Sequence, residues 1–362
     1  MRYIVSVNSG LYTFYSEPNG LFWSQYLGSE TWSTAESFFE GRVEHFSVSL
    51  CKGRVLVVYQ TAILAKRVVF ENGEFFENLL VEGGLDGTYY GVAIDGGEDT
   101  FLVHNLPISR EYSHILMSHK LGSDGSWSGS KNLGRIIPFT QKYAFDMIPV
   151  RNNHFLMFYQ VQASGFGADL GFREVYGNKI GSFNIVEKNA NINGMCNSFL
   201  ASHSEIFITY MVKGILSPAL YYVKKDEHGF SQKITIASGN NIHSPLIYLK
   251  NGKLNLLYMR GDDIFSTELA KNNLSFVQHK EKASSYTRCR FLHENNINSD
   301  FYANEILIDT SNPKKLRILD GLASFDKLVK PSKIKSKSIP KTSPQKLKAG
   351  NQEEYISFFN NF

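Results

Sequence analysis

One pattern recurs along the chain: a short apolar run that ends in an aromatic residue and is flanked by polar turns. The final residue of this run recurs every 44 to 55 residues. These anchor positions are Tyr15, Tyr59, His104, Tyr159, Tyr210, Tyr258 and Tyr302. A self-similar unit of about 45 residues indicates a repeat architecture, in which one supersecondary unit is copied along the chain.

Three further segments with the pattern of a strand recur at a similar distance from each anchor run. One lies before the anchor, one follows it shortly, and one opens with an aromatic residue such as Trp32, Trp127 or Phe230. All are short runs rich in β-branched and aromatic residues, bounded by Gly, Asn, Asp and Ser, which favours strands. No long helical period of apolar residues precedes residue 325.

Four short antiparallel strands per unit predict an all-β fold, a β-propeller over residues 1–325 with about seven four-stranded blades. A blade has two apolar faces that it cannot bury alone, so it stacks on neighbouring blades. Closure of the ring leaves only short, protected sheet edges. Six blades remain an alternative because the last unit, residues 286–322, is degenerate. A β-sandwich is the other architecture, and the regular period argues against it.

Three turns between the predicted third and fourth strands resemble the Asp-box turn of sialidase-like (BNR-repeat) propellers, which reads roughly Ser-x-Asp-x-Gly-x-Thr-Trp. They lie at residues 29–33, 123–128 and 226–231. The closest copy is Ser-Asp-Gly-Ser-Trp at residues 123–127, which is one spacer residue short. The resemblance implies a propeller and transfers no catalytic residue to this chain.

Charge divides the chain into two parts. The 362 residues include 38 Lys+Arg and 34 Asp+Glu, a formal charge of +4. Residues 326–362 hold eight lysines and three acids, which leaves about −1 for the predicted ring. Residues 326–350 are rich in Lys, Pro and Ser, a composition that predicts a disordered linker. The linker could bind nucleic acid through charge alone, but it has no arginine and no interleaved aromatic residues, so a solvated spacer is favoured.

The last segment, residues 351–362, carries aromatic residues at the spacing of one helical face. Such a short helix is marginal in water unless it docks, so we expect a C-terminal motif that binds a protein partner. Docking on its own propeller is the alternative. The expected contact residues are Tyr355, Ile356, Phe358, Phe359 and Phe362.

Composition limits the setting of the protein. A hydrophobic share of 43% and an aromatic share of 14% are those of a globular chain. No apolar run reaches the ~18 residues of a membrane span, and the first residues do not read as a secretory leader. The distant cysteines Cys51, Cys196 and Cys289 favour buried thiols over disulfides or zinc. We therefore expect a cytoplasmic, monomeric ring without metal or cofactor. The richness in Asn, Lys, Ile and Phe is typical of a protein from an AT-rich bacterial genome.

Catalytic signals are sparse. The histidines are scattered, and His104 occupies an anchor position, so we expect a core residue with a satisfied imidazole. A glycosidase needs two carboxylates about 5–10 Å apart, and Glu44 and Asp146, at the starts of predicted inner strands, are weak candidates. A sialidase would also need an arginine cluster for the substrate carboxylate, and Arg-Ile-Ile-Pro at residues 135–138 resembles the family's Arg-Ile-Pro motif only loosely and lies mid-chain. Loops on one rim offer binding candidates instead: Arg110, Glu111, Tyr112, Asp169 and Arg173.

These observations favour a non-catalytic interaction scaffold. The propeller would bind one partner on its loop-bearing rim, and the C-terminal motif would recruit a second. A carbohydrate-binding, lectin-like propeller is the alternative, and a sialidase-like glycoside hydrolase is the further alternative.

Overall fold

The structure is a computed structural model. The residues that it describes are 2–51, 53–71, 74–82, 88, 90–94, 100–108, 113–121, 129–138, 144–151, 154–163, 167–176, 179–190, 198–201, 205–213, 217–269, 274–293, 301–319 and 323–328. Strands dominate this part of the chain, as the repeat predicts. The described helices are too short and too polar to cross a membrane.

The first half of the chain forms the first strands of sheet I, followed by sheets II and III. The strands of sheet I are β1 (Arg2–Val7), β2 (Gly10–Glu17), β3 (Gly20–Gly28), β4 (Thr31–Trp32) and β5 (Glu36–Glu40). Those of sheet II are β6 (His45–Cys51), β7 (Arg54–Gln60), β8 (Leu64–Glu71) and β9 (Glu74–Glu82). Those of sheet III are β10 (Tyr90–Ile94), β11 (Thr100–Pro107), β12 (His114–Leu121) and β13 (Lys131–Ile136).

Sheets IV to VI follow with the same antiparallel order. Sheet IV has β14 (Phe145–Arg151), β15 (His154–Gln162), β16 (Ala168–Tyr176), β17 (Lys179–Ile180) and β18 (Asn184–Ala190). Sheet V has β19 (Ser198–Ala201), β20 (Ile206–Lys213), β21 (Pro218–Asp226), β22 (Gly229–Phe230) and β23 (Ile234–Ser238). Sheet VI has β24 (Ile242–Lys250), β25 (Lys253–Arg260), β26 (Asp263–Glu268), β27 (Phe276–Lys282) and β29 (Phe301–Ala303).

The end of the chain returns to sheet I. A 3₁₀ turn at Ala283–Ser285 precedes β28 (Tyr286–His293), and β30 (Glu305–Asp309), β31 (Arg317–Ile318) and the helical turn α1 (Phe325–Leu328) follow. Strand β28 pairs in parallel with β1, with Tyr3 opposite Arg290. This pair joins the last strands to the first and makes sheet I eight-stranded.

Six apolar clusters hold the sheets in a ring. Separate clusters join sheet I to II, II to III, III to IV, IV to V and V to VI. A sixth cluster joins sheet VI back to sheet I. The second strand of a sheet is covered on each face by a neighbouring sheet, so both of its faces are buried. Strand β7 is buried from Val55 to Gln60, and β15 from His154 to Gln160. This explains why the anchor runs are continuously apolar instead of alternating.

The seventh anchor prediction is wrong. Tyr302 lies in β29, which pairs antiparallel with β24 of sheet VI. The second strand of the last unit is β30, which pairs with β28 and contains no aromatic residue. The run Phe301–Ala303 has the composition of an anchor strand, but composition does not determine its pairing partner.

Two of the Asp-box-like turns share one hydrogen-bonding arrangement. The hydroxyl of Ser33 accepts a hydrogen bond from the amide of Gln25 at 2.9 Å, and the Ser33 amide donates to the Gln25 carbonyl at 2.8 Å. Ser231 makes the same pair of bonds with Lys224, at 2.9 and 2.7 Å. The copy at residues 123–128 lies entirely outside the described residues. The shared geometry supports the turn resemblance in two places.

Contacts between the chain and the propeller continue to Leu328, three residues beyond the expected end of the propeller. Phe325 is 1% exposed and packs against Tyr26 and Trp32, with ring centroids 5.6 and 5.2 Å apart. Asp326 accepts hydrogen bonds from the Tyr26 hydroxyl at 2.7 Å and from the Ser29 amide at 3.2 Å. We call residues 323–328 the clasp. The rest of the predicted linker and the motif at 351–362 lie outside the described residues.

Candidate functional site

Charged residues meet at the centre of the ring. Arg288 and Arg290 alternate on β28 and point to the same side. The Arg288 Nε atom lies 3.0 Å from Glu305, and the Arg290 Nε atom lies 3.5 Å from the same carboxylate. The Arg290 guanidinium also donates to Asp146, which β14 brings from the other side of the ring. Two cations and two anions thus form one neutral network, the central ion network.

Burial and charge oppose each other in this network. Burial alone would lower the pKa of Arg290, but the carboxylates of Asp146 and Glu305 outweigh it and raise that pKa. Glu305 is only 5% exposed. Removing one partner from such a network leaves a buried charge without compensation, which costs about 3–5 kcal/mol.

The space beside the central ion network is small. A cavity of about 30 Å³ is lined by residues from several inner strands, among them Tyr3, Ser47, Gly91, Asp146 and Arg290. This volume has room for one or two waters. A Cβ added at Gly91 would lie 2.6 Å from the ring of Phe145, so the chains here pack closely. The cavity is too small for a sugar ring.

The two candidate carboxylates have different environments. Asp146 is a member of the central ion network, where it accepts from Arg290. The Glu44 side chain is 38% exposed and pairs with Arg42 at 3.0 Å. Each carboxylate therefore has its own arginine partner, and no described contact brings the two together.

The rim candidates fall into two groups. Arg110, Glu111 and Tyr112 lie outside the described residues. Asp169 and Arg173 both belong to strand β16, which begins at Ala168, so neither is a loop residue. The Arg173 guanidinium donates to the Tyr159 hydroxyl at 2.6 Å and to the Gly181 carbonyl at 3.0 Å. These bonds fix the Arg173 side chain between strands.

An aromatic residue lies open at the other end of β16, on the opposite rim of sheet IV from Asp169. Tyr176 is 45% exposed and stacks on His154, with ring centroids 3.9 Å apart and planes at 16°. His154 is only 6% exposed, and its Nε2 atom lies 3.6 Å from a carboxylate oxygen of Glu174. The His154 ring thus packs against one face of Tyr176, while Tyr176 as a whole remains accessible to solvent.

Charged groups flank this ring. The Tyr176 hydroxyl donates to Glu174 at 2.9 Å, and Lys225 of sheet V donates to the other oxygen of Glu174 at 3.3 Å. The nearby His154 ring lowers the pKa of Glu174 to about 2, and although burial opposes it, the Tyr176 hydroxyl and Lys225 act in the same direction. Glu174 is therefore an anion at neutral pH. We call Tyr176, His154, Glu174 and Lys225 the rim platform.

Sequence reasoning missed both clusters. The alternation Arg288–Cys289–Arg290 on an inner strand was a signal for the central ion network, because two charges on one face of a buried strand need partners. The rim platform has no such signal, since the register of β15 against β16 places His154 opposite Tyr176. Among the described residues, no group of three or more His, Cys, Asp or Glu side chains could hold a metal ion.

Solved structures share this architecture at low sequence identity. A SapL1 lectin in complex with alpha methyl fucoside is 11% identical over 78% of this chain and 95% of that chain, with a TM-score of 0.50. A PL25 ulvan lyase is 10% identical over 87% and 90%, with a TM-score of 0.54. A structure from a study of two prolyl endopeptidases is 10% identical over 88% of this chain and 47% of that chain, with a TM-score of 0.52.

These likenesses show the fold alone. They confirm the propeller resemblance that the Asp-box-like turns indicate. No family model and no curated protein matches the sequence.

Proposed function

We propose that the chain is a non-catalytic, seven-bladed propeller that binds one partner on its loop-bearing rim and a second through its C-terminal segment. The count of seven treats sheet I as two blades, one of β1–β5 and one of β28, β30 and β31, joined by the parallel pair of β1 and β28. Residues 351–362 would then recruit a protein partner, with Tyr355, Phe358, Phe359 and Phe362 on one helical face.

The central ion network carries the non-catalytic part of this proposal. A glycosidase needs a pair of carboxylates and space for a sugar between them. Here Asp146 accepts from Arg290 beside a cavity of about 30 Å³. A carboxylate neutralised in this way is a poor general base or nucleophile.

Deletion of residues 351–362 tests the partner-binding part. Affinity purification of the full chain should recover a protein that the shortened chain loses, while the thermal melts of both remain the same. Equal recovery by both chains would contradict the role of the segment. A hydrolase activity that Asp146→Asn removes without loss of folding would contradict the non-catalytic assignment.

Carbohydrate is the second candidate ligand, and the rim platform favours it. A sugar ring packs its C–H groups on an open aromatic face, and a neighbouring carboxylate and ammonium bind its hydroxyls. Phe230, 40% exposed and opposite Lys225 in the ladder, offers a second aromatic surface on the same rim.

A glycan array tests this candidate. Tyr176→Ala should abolish binding, because it removes the flat surface and leaves Glu174 in place. Phe76→Ala is the matched control, since Phe76 is 51% exposed on sheet II. Equal loss in both variants, or no bound glycan at all, would contradict a carbohydrate site at the rim platform.

A further inference from the structure

Two buried histidines face each other between sheets II and III. His104 on β11 and His119 on β12 are each 5% exposed. Their Nε2 atoms lie 2.9 Å apart, with ring centroids at 5.1 Å and planes at 18°. Because the nitrogens are much closer than the ring centres and the planes nearly coincide, the imidazoles meet edge to edge. The two Nε2 atoms point toward the space between the rings.

A thioether belongs to the same face. Met117 lies directly opposite His104 in the ladder, and it precedes His119 by two residues on β12. Residues two apart on a strand share a face, as do residues opposite each other on paired strands. The face therefore carries two imidazoles and one methionine sulfur.

The pair leaves one imidazole nitrogen of His104 unused. Its buried Nδ1 atom has no hydrogen-bond partner. The expectation of a satisfied imidazole is therefore only half right, since the residue is buried but one nitrogen is not satisfied.

We propose that His104, His119 and Met117 form a binding site for a soft monovalent ion, cuprous copper. Imidazole and thioether donors suit Cu(I). None of the three donors is an anion, so they leave the charge of a bound ion uncompensated. Because burial of an uncompensated charge is costly, these donors favour a monovalent ion over a divalent one.

Binding requires a small opening of the histidine pair. Metal–nitrogen bonds of about 2.0 Å place two nitrogens on one ion roughly 3.3–4 Å apart, against 2.9 Å here. One ring now supplies the N–H and the other the lone pair. On binding, that proton moves to Nδ1 of its own ring, so both Nε2 lone pairs reach the ion and no proton is released.

Competition with a chromophoric Cu(I) chelator tests the proposal on the full chain under reducing conditions. The protein should take up one equivalent of Cu(I), with Ag(I) as the redox-inert probe. His104→Tyr, which restores the residue found at the other anchors, and His119→Gln should abolish uptake. Met117→Leu should weaken it about tenfold, or about 1.4 kcal/mol. His228→Gln is the control, because that side chain is 85% exposed on sheet V.

X-ray absorption of the loaded wild-type protein keeps the proposal testable if a variant fails to fold. Two nitrogen ligands and one sulfur ligand are expected. No uptake, unchanged uptake in His104→Tyr and His119→Gln, a sulfur-free spectrum, or stronger binding of Zn²⁺ than of Cu(I) would each overturn it.

Discussion

The seam that closes the ring and the seam between sheets II and III are built from different chemistry. Among the described residues, the closing seam of sheets VI and I contains 22 buried apolar residues, including those within the last strands themselves. The cluster between sheets II and III contains five: Leu56, Val58, Ala65, Tyr90 and Leu102. Beside these five lie His104, His119 and Arg67.

The difference concerns the chemistry of each seam. Apolar burial stabilises by about 25 cal/mol per Å², so the closing seam, with the clasp, is held mainly by apolar packing. The described part of the second seam adds buried polar groups, and those with unsatisfied atoms, such as His104 Nδ1, reduce stability. The stability of the second seam should therefore depend on pH, whereas that of the closing seam should depend on apolar packing.

The largest expected effect comes from removing the clasp aromatic. Phe325→Ala leaves a cavity between Tyr26 and Trp32, and we expect a loss of about 3–5 kcal/mol in the free energy of unfolding. Denaturant titration measures it. Phe76→Ala, at an exposed site, should change stability by less than about 0.5 kcal/mol. A similar small change for Phe325→Ala would show that the clasp does not stabilise the ring.

A pH effect distinguishes the second seam. His104 is neutral when folded, with a pKa of about 3 against 6.5 when unfolded, so the unfolded state binds the extra proton between these values. Its contribution is complete above pH 6.5 and decreases as the pH falls toward 3, by roughly 1.4 kcal/mol per pH unit at most. His104→Tyr should flatten the stability curve in this window. Parallel curves for the two proteins would contradict a buried neutral His104.

A smaller effect is expected at the clasp carboxylate. Asp326 bonds to the Tyr26 hydroxyl and the Ser29 amide, but it is exposed. We expect Asp326→Ala to cost about 1 kcal/mol, the ordinary value for a hydrogen bond with solvent access. Asp326→Asn keeps an acceptor and should cost less, which thermal melts can resolve.

The smallest effect is the coupling between the two seams. Phe325 and His104 share no described contact, so the stability losses of Phe325→Ala and His104→Tyr should add within about 0.5 kcal/mol in the double variant. A larger coupling energy, measured in a double-mutant cycle at pH 7, would show that strain passes around the ring from one seam to the other.

The local sequence pattern predicts the strands and their repeat. Features that depend on pairing between distant parts of the chain could not be predicted from it. Six anchor runs form second strands because a strand buried on both faces must be continuously apolar. Tyr302 failed because its run pairs with β24 instead of β28. Arg290 and Asp146 lie 144 residues apart and meet only through ring closure, so no local pattern reveals their contact.

The parallel pair of β1 and β28 also has a consequence during synthesis. Tyr3 and Arg290 are opposite each other, so one edge of β1 has no intramolecular partner until residue 290 has been made. At about 5–20 residues per second, that interval is roughly 15–60 s. The nascent chain must keep an open sheet edge from pairing with other chains for this time, and the ring exists as a complete object only after nearly all of its residues have left the ribosome.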